Sequence, residues 1–141
     1  RPTLDIAGHT NPQTADEAKF SINYMVASAL AFGSVRLSAF EPQRLNDPLT
    51  RDLVSRVHAR LDPEVDAGFP ERRAARVVIT LKDGQRFERL QPDRKGDPEL
   101  PLSDADLEGK LMELAGPVIG LDQAQALLTH IWNLDKSENL P

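Results

Sequence analysis

Three side chains near the start of the sequence have the chemistry to bind an anionic ligand: His9, Lys19 and Tyr24. A tyrosine hydroxyl can donate a hydrogen bond to a carboxylate, a lysine ammonium can pair with negative charge, and a histidine in a loop can meet a ligand. Each residue also has an ordinary structural explanation: a core tyrosine with a satisfied hydroxyl, a solvated or capping lysine, and a polar surface histidine. Lys19 and Tyr24 project in different directions from an ideal helix, so at most one of them faces such a site.

A predicted helix between Thr14 and Gly33 positions two of these side chains. Thr14 and Glu17 have the spacing of a capping box, and Gly33 suits the left-handed conformation that ends a helix. One apolar face has helical spacing and consists of Ala18, Ile22, Met25, Val26, Ala29 and Leu30. A second apolar row consists of Phe20, Tyr24, Ala27 and Ala31. A helix with two apolar faces is normally buried on two sides, so we expect the second row to be covered by a partner copy, by the C-terminal helices with Trp132, or by a helical domain.

Several segments carry the alternating pattern of β-strands. Leu4 and Ile6 predict a short strand at the start, although a frayed terminus fits equally well. Val57, Ala59 and Leu61 alternate with polar residues and predict a second strand, directly after a helix that Asn46-Asp47-Pro48 begins. A hairpin is predicted from Arg76–Leu81 and Gln85–Leu90, with Asp83-Gly84 as a two-residue turn.

The last third of the sequence predicts two helices. Ser103 caps the first, with Asp104 and Asp106 in its opening turn, and Gly116-Pro117 is predicted to break it. The second is predicted to begin at Asp122. Together these patterns predict an α/β (α+β) fold, with a small mixed, mostly antiparallel sheet packed by a long helix, and a C-terminal helical pair.

Composition excludes several classes of protein. The net charge of −5 disfavours nucleic-acid binding, which requires a basic surface. No apolar run approaches the roughly 20 residues of a membrane span, and the start lacks the pattern of a signal peptide, so we expect a cytoplasmic protein with no membrane partner. The absence of cysteine excludes disulfides and thiol catalysis, and with three scattered histidines we expect no metal site.

Three strings in this sequence resemble the MmgE/PrpD family, which includes 2-methylcitrate dehydratase, cis-aconitate decarboxylase and iminodisuccinate epimerase. The first is PxxxxEAKFSxxYxxAxALxxG, from Pro12 to Gly33. The second is DPExDxxFPERRxARVxxTLxDG, from Asp62 to Gly84, and the third is GDPExPLSDxDLExK, from Gly96 to Lys110. Because the three occur in the family's order, the resemblance is to the C-terminal part of such enzymes.

The resemblance implies that residues 1–102 form a small, lid-like α/β domain and that residues 103–141 form helices returning to a large helical domain absent from this chain. It implies proton abstraction next to a carboxylate of a small di- or tricarboxylate, by a lyase or isomerase, without a metal or organic cofactor. The family's lysine- and histidine-bearing segment ahead of the small domain has no counterpart in this sequence.

On this resemblance Tyr24 matches a family tyrosine near the substrate, and Tyr24, Lys19 and His9 are the predicted substrate-binding residues, with no catalytic residue assigned. We expect the large helical domain and a small carboxylate as partners, a homo-oligomer, and no activity from the isolated chain. The alternative is a non-catalytic binding or assembly module that has kept the fold.

Overall fold

The computed structural model describes residues 2–136, which fall into two compact units, one up to Leu90 and one from Gln91 onward. The helices of the first unit are α1 (Pro2–Ile6), α2 (Ala15–Lys19), α3 (Ile22–Phe32), α4 (Pro42–Leu45), α5 (Pro48–Arg56) and α6 (Pro63–Asp66). Strands β1 (Ala75–Thr80) and β2 (Arg86–Gln91) follow, and then α7 (Asp104–Ile119) and α8 (Leu121–Trp132). Short 3₁₀ turns span Leu37–Phe40 and Leu134–Lys136. Helix accounts for 53% and strand for 11%, which confirms the mixed fold class.

The core of the first unit forms where α3 packs against α5, and α2 and α4 each add one buried residue to it. Its buried residues are Ala18, Tyr24, Ala27, Leu45 and Val54, with Phe40 and Leu53 packed at the edge. The two predicted apolar rows are therefore confirmed only in part, since the core takes Ala18 from the first and Tyr24 and Ala27 from the second. Ala29 and Leu30, from the first predicted face, are exposed, whereas Asn23, Tyr24, Ala27 and Ser28 are buried.

The predicted long helix is interrupted between Lys19 and Ile22. Thr14 accepts a hydrogen bond from the Glu17 amide at 3.2 Å, as a capping residue does, but Glu17 reaches back to the Gln13 amide instead of completing the box. Ser21 then caps α3 by accepting from the Tyr24 amide at 3.1 Å. A second N-cap signal inside the helical pattern thus divides it, and Gly33 ends α3 with a φ of 75°, as predicted.

The interruption is stabilised by residues ahead of α2. The His9 amide donates to the Phe20 carbonyl and the Ile22 amide donates to the Ala7 carbonyl, each at 3.2 Å. The Ser21 hydroxyl donates to the His9 carbonyl. These bonds satisfy backbone groups that a continuous helix would have used itself, so the loop before α2 and the break between α2 and α3 fold together.

Both single-strand predictions are wrong for the described part of the chain. The segment with Leu4 and Ile6 is helical as α1, and residues 57–62 have no regular secondary structure. The sheet contains only β1 and β2, in antiparallel order, so it is smaller than predicted. A strand requires a neighbour to satisfy its backbone, and no neighbour is available to either segment among residues 2–136.

The hairpin itself is confirmed, but its turn is longer than predicted. The Gly84 amide donates to the Leu81 carbonyl at 3.0 Å, and the Leu81 amide donates to the Gln85 carbonyl at 2.8 Å, which leaves three residues in the loop. Gly84 has a φ of 87°, and Asp83 keeps a negative φ. The turn therefore needs glycine at one position, as in three-residue hairpin loops, and not at two.

The second unit is a pair of packed helices. Ser103 and Asp106 form a full capping box at the start of α7, as the spacing predicts. The predicted break at Gly116-Pro117 is wrong, because α7 continues through Pro117 to Ile119 and α8 follows directly after Gly120. Pro117 lies in the last turn, so the backbone hydrogen bond that it cannot donate is lost only near the end of the helix. Trp132 donates to the Glu108 carboxylate at 2.8 Å and so links α8 to α7.

Between Pro2 and Lys136 no helix is both long enough and apolar enough to cross a membrane.

Candidate functional site

A cleft of about 500 Å³ lies in the first unit, between α1 with its following loop and the C-terminal end of α5. Its lining residues are Leu4, Ala7, Gly8, Thr10, Asn23, Val54, Ser55, Val57, His58 and Ala59. The volume is within the range of small-ligand sites, and the wall is a mixture of small apolar side chains and a few polar groups.

Asn23 connects the cleft to the core. The residue is only 8% exposed, and its side-chain amide donates to the Val57 carbonyl at 2.7 Å and to the Val54 carbonyl at 3.5 Å. Carbonyls at the end of a helix have no partner within the helix. Asn23 therefore supplies a donor to the Val57 carbonyl just beyond α5, and adds to the bond that the Val54 carbonyl accepts from the Val57 amide. It thereby fixes the direction in which the chain leaves α5.

Among the described residues that line this cleft, His58 is the only titratable one. Its side chain is exposed, on the segment that follows α5. The described lining includes no lysine, arginine or carboxylate. These lining residues therefore do not supply the cations that a substrate with several carboxylates would require.

The loop that carries His9 is held in place by its backbone. The His9 amide and carbonyl are both bonded to the start of α3 as described above, and the buried Pro12 offers its carbonyl to Arg51 on α5 at 2.6 Å. The His9 side chain itself is exposed. Gly8 allows this close approach, since a Cβ there would lie 2.8 Å from the Leu4 carbonyl oxygen. The structure thus presents His9 on a fixed loop, beside the cleft but outside its lining.

Tyr24 is buried in the core of the first unit. The side chain is 0% exposed, its hydroxyl donates to the Ala39 carbonyl, and its ring centroid lies 6.3 Å from that of Phe40. Burial raises the pKa of the hydroxyl above its usual value, so the group is a neutral hydrogen-bond donor. A tyrosine hydroxyl that binds a substrate has to reach an open surface, and this one is buried in the first unit; its contact with a substrate stays a prediction.

Lys19 lies at the surface on α2. Its ammonium pairs with Asp16 at 2.9 Å, one turn earlier in the same helix, and its side chain is 52% exposed. Lys19, His9 and Tyr24 are therefore not brought together around one cavity: two are exposed at different points and one is buried. Between Pro2 and Lys136 no three histidine, aspartate or glutamate side chains cluster in a way that could hold a metal ion.

Two residues with structural roles at this site were missed by the sequence analysis. The sequence pattern places Ser21 inside one continuous helix and includes Asn23 in neither of its apolar rows. Ser21 had a usable signal, because serine is a preferred N-cap and a change of helix was possible there. No local signal identifies the role of Asn23, since its partners Val54 and Val57 are more than 30 positions away in the chain.

The similarity of this chain to known proteins extends over nearly all of the helices and strands described above. Residues 1–136 match the profile of the MmgE/PrpD C-terminal domain. The chain belongs to the MmgE/PrpD family. The cis-aconitate decarboxylases of Mus musculus and Homo sapiens are 28% and 27% identical to it over 138 residues, which is 98% of this chain. A cis-aconitate decarboxylase-like protein, oryM, of Aspergillus oryzae is 27% identical over 135 residues, or 95% of the chain.

This MmgE/PrpD chain spans only 28% of the length of the two mammalian proteins and 27% of the fungal one. The match includes the His9 loop, α2, α3 and the cleft, because it extends over 98% of the chain. It confirms the family that the three sequence strings resemble.

Proposed function

We propose that this chain is the lid-like C-terminal domain of a cofactor-independent lyase or isomerase that acts on small di- or tricarboxylates. The observation that carries the proposal is the similarity to cis-aconitate decarboxylases over 98% of this chain and only 28% of theirs. Such a match is that of one domain of a larger enzyme, and the remaining part would be the large helical domain.

The chemistry of the cleft supports a role that depends on another domain. Removing a proton next to a carboxylate requires a base, an acid for the leaving group, and donors or cations that stabilise the developing charge. The cleft offers one histidine, His58, and no cation in its lining. This set is too small for the reaction, so we expect no turnover from the isolated chain.

Two exposed residues of the first unit are available to complete a site at a domain boundary. His9 is presented on a loop whose backbone is fixed at both its amide and its carbonyl, and Lys19 carries its charge on the next helix. We propose that they contribute to binding the substrate carboxylates. Tyr24 can reach a substrate only if the turn at residues 37–40 moves away, because its hydroxyl is bonded to the Ala39 carbonyl.

The test is a comparison of the isolated chain with the same chain joined to a large helical domain of this family. Turnover of cis-aconitate and of 2-methylcitrate is measured for both, and binding of the two polypeptides by sedimentation. We expect no product from the isolated chain and product from the joined protein. Turnover by the isolated 141 residues would contradict the proposal. Stable binding without turnover of any tested carboxylate would favour the non-catalytic assembly module instead.

A further inference from the structure

The segment between α5 and α6 has the sequence pattern of a strand but no partner strand among the described residues. Val57, Ala59 and Leu61 alternate with polar residues, and the backbone is extended at Val57 and at Asp62, which bound the segment. Within the part of the chain that the structure describes, residues 58–61 make no hydrogen bond to any other backbone group. Four consecutive residues thus leave their amides and carbonyls to the solvent.

This unpaired segment borders the cleft. Val57, His58 and Ala59 contribute to one wall, and Leu4, Ala7 and Gly8 contribute to the opposite wall. On the N-terminal side, the loop after α1 is already bonded to the start of α3, where the Ala7 carbonyl accepts from the Ile22 amide. Residues 58–61 have no such bond, so the edge with free donors and acceptors is the one that they form. An extended chain lying in the cleft could pair with that edge while its side chains contact the small apolar residues of the other wall.

We infer that the cleft is a docking site for an extended β-strand, which pairs with residues 58–61 and comes from a part of the polypeptide outside these 141 residues. The relatives that match the chain are more than three times its length, since it covers 28% of them, so such a part exists in the family. The inference goes beyond the proposed function, because strand pairing does not depend on the reaction.

The composition of the cleft favours a strand over a small carboxylate. An anion would be placed among Leu4, Ala7, Val54 and Val57 with no lysine or arginine in the lining, at the carbonyl end of α5. The C-terminal end of a helix is the negative end of its dipole and disfavours an anion. An extended peptide strand with alternating apolar side chains carries no charge, so it needs no cation and is not disfavoured by the helix dipole. Its backbone can also bond to the free amides of residues 58–61.

Hydrogen exchange read by mass spectrometry tests this directly. The isolated chain is compared with the protein in which it is joined to its large domain, and exchange is followed over residues 57–62, with the exposed hairpin loop at residues 82–84 as internal control. We expect amides of the segment to exchange at least about tenfold more slowly in the joined protein, and the control loop to be unchanged. Equal exchange in the two proteins would overturn the inference.

Two neighbouring proline variants sharpen the test. Amides of successive residues in a strand point to opposite edges, so only one of Ala59 and Arg60 can donate to the docked strand. Proline removes that donor and suits extended backbone. We expect one of Ala59→Pro and Arg60→Pro to abolish the protection and the other to leave it intact, while both isolated chains keep their helical circular dichroism. Protection that survives in both variants would contradict strand pairing. Protection already present in the isolated chain and rising with its concentration would assign the cleft to a second copy, and would also overturn the inference.

Discussion

The side-chain amide of Asn23, in the first turn of α3, donates to the backbone carbonyl of Val57 just beyond the end of α5, over 2.7 Å. One buried polar group thereby joins the two helices that form most of the core of the first unit. It also determines where the chain turns out of α5 into the unpaired segment beside the cleft. The bond is thus both a contact of the core and a support for one wall of the candidate site.

Replacing Asn23 by leucine should therefore destabilise the first unit. The leucine fills a similar volume but leaves the Val57 carbonyl without a donor, at a cost of about 1–3 kcal/mol for an unsatisfied buried group. Urea unfolding followed by circular dichroism measures the change. Asn11→Leu, in an exposed loop, is the control and should have little effect. Equal stability of the two variants would show that the amide contributes nothing.

Ser21→Ala should weaken the attachment of the His9 loop to the start of α3 and destabilise α3 itself. The change removes the cap of α3 and the hydroxyl that donates to the His9 carbonyl. Loss of an N-cap alone costs about 0.5–2 kcal/mol. We expect a loss of this size in unfolding free energy, together with faster amide exchange at His9, whereas the exposed Ser34→Ala should change neither. If exchange at His9 stays the same in Ser21→Ala, the loop is held in place without the serine.

The stability that Asp106 contributes at the start of α7 should depend on pH. The Lys95 ammonium, 2.6 Å away, and the Ser103 hydroxyl and amide lower the pKa of Asp106 from 3.8 to about 2. A carboxyl whose pKa is lower in the folded state stabilises the fold fully above its unfolded value, and this contribution is lost as the pH falls towards 2. Asp106→Asn should therefore reduce the melting temperature more at pH 5 than at pH 2.

Asp104→Asn is the matched control for that experiment, because Asp104 lies in the same turn and is hydrogen-bonded to neither Lys95 nor Ser103. Its effect on the melting temperature should vary less between pH 5 and pH 2. Parallel pH profiles for the two variants would contradict the assigned role of Asp106.

The proposed contribution of His9 and Lys19 to substrate binding predicts kinetic effects in the joined, active protein. His9→Ala and Lys19→Met should each raise KM for a tricarboxylate substrate up to about fivefold, since an exposed ion pair is worth about 0.2–1 kcal/mol. Stability should be almost unchanged because both side chains are exposed. Lys82→Met, in the hairpin loop, serves as the control. Unchanged KM in both variants would remove these two residues from the site.

Local signals in the sequence were sufficient to predict several helix caps and the position of the hairpin. Asp47 caps α5 by accepting from the Thr50 amide at 2.8 Å, Ser103 caps α7, and Gly33 and Gly84 take positive φ where the pattern requires it. Each of these features depends on residues within a few positions of one another, so the physical cause is present in the sequence itself.

The incorrect predictions of secondary structure and burial have a common cause. In each case the local sequence allows more than one structure, and contacts with distant residues determine which one forms. Residues 14–33 carry the pattern of one helix, but bonds from Ala7 and His9 to the backbone near Ser21 favour two. The strand pattern at Val57–Leu61 is genuine in the sequence and fails only because no partner strand lies among the described residues. The buried position of Tyr24 depends on the Ala39 carbonyl and on Phe40, whose approach no local pattern encodes.

The hairpin is attached to its unit mainly through charge. In β1 only Arg76 and Ile79 are half-buried, and the Arg76 guanidinium binds Asp62 at 2.7 Å, Glu64 at 2.8 Å and Glu88 at 3.0 Å. Asp62 also caps α6, so this one arginine ties a helix terminus to both strands. Ion pairs weaken as salt is added, whereas the apolar core between α3 and α5 does not. The two parts of the unit should therefore respond to different solvents: molar sodium chloride should loosen the hairpin while the helices stay folded, and a buffer of low ionic strength is the condition in which the domain is most completely ordered.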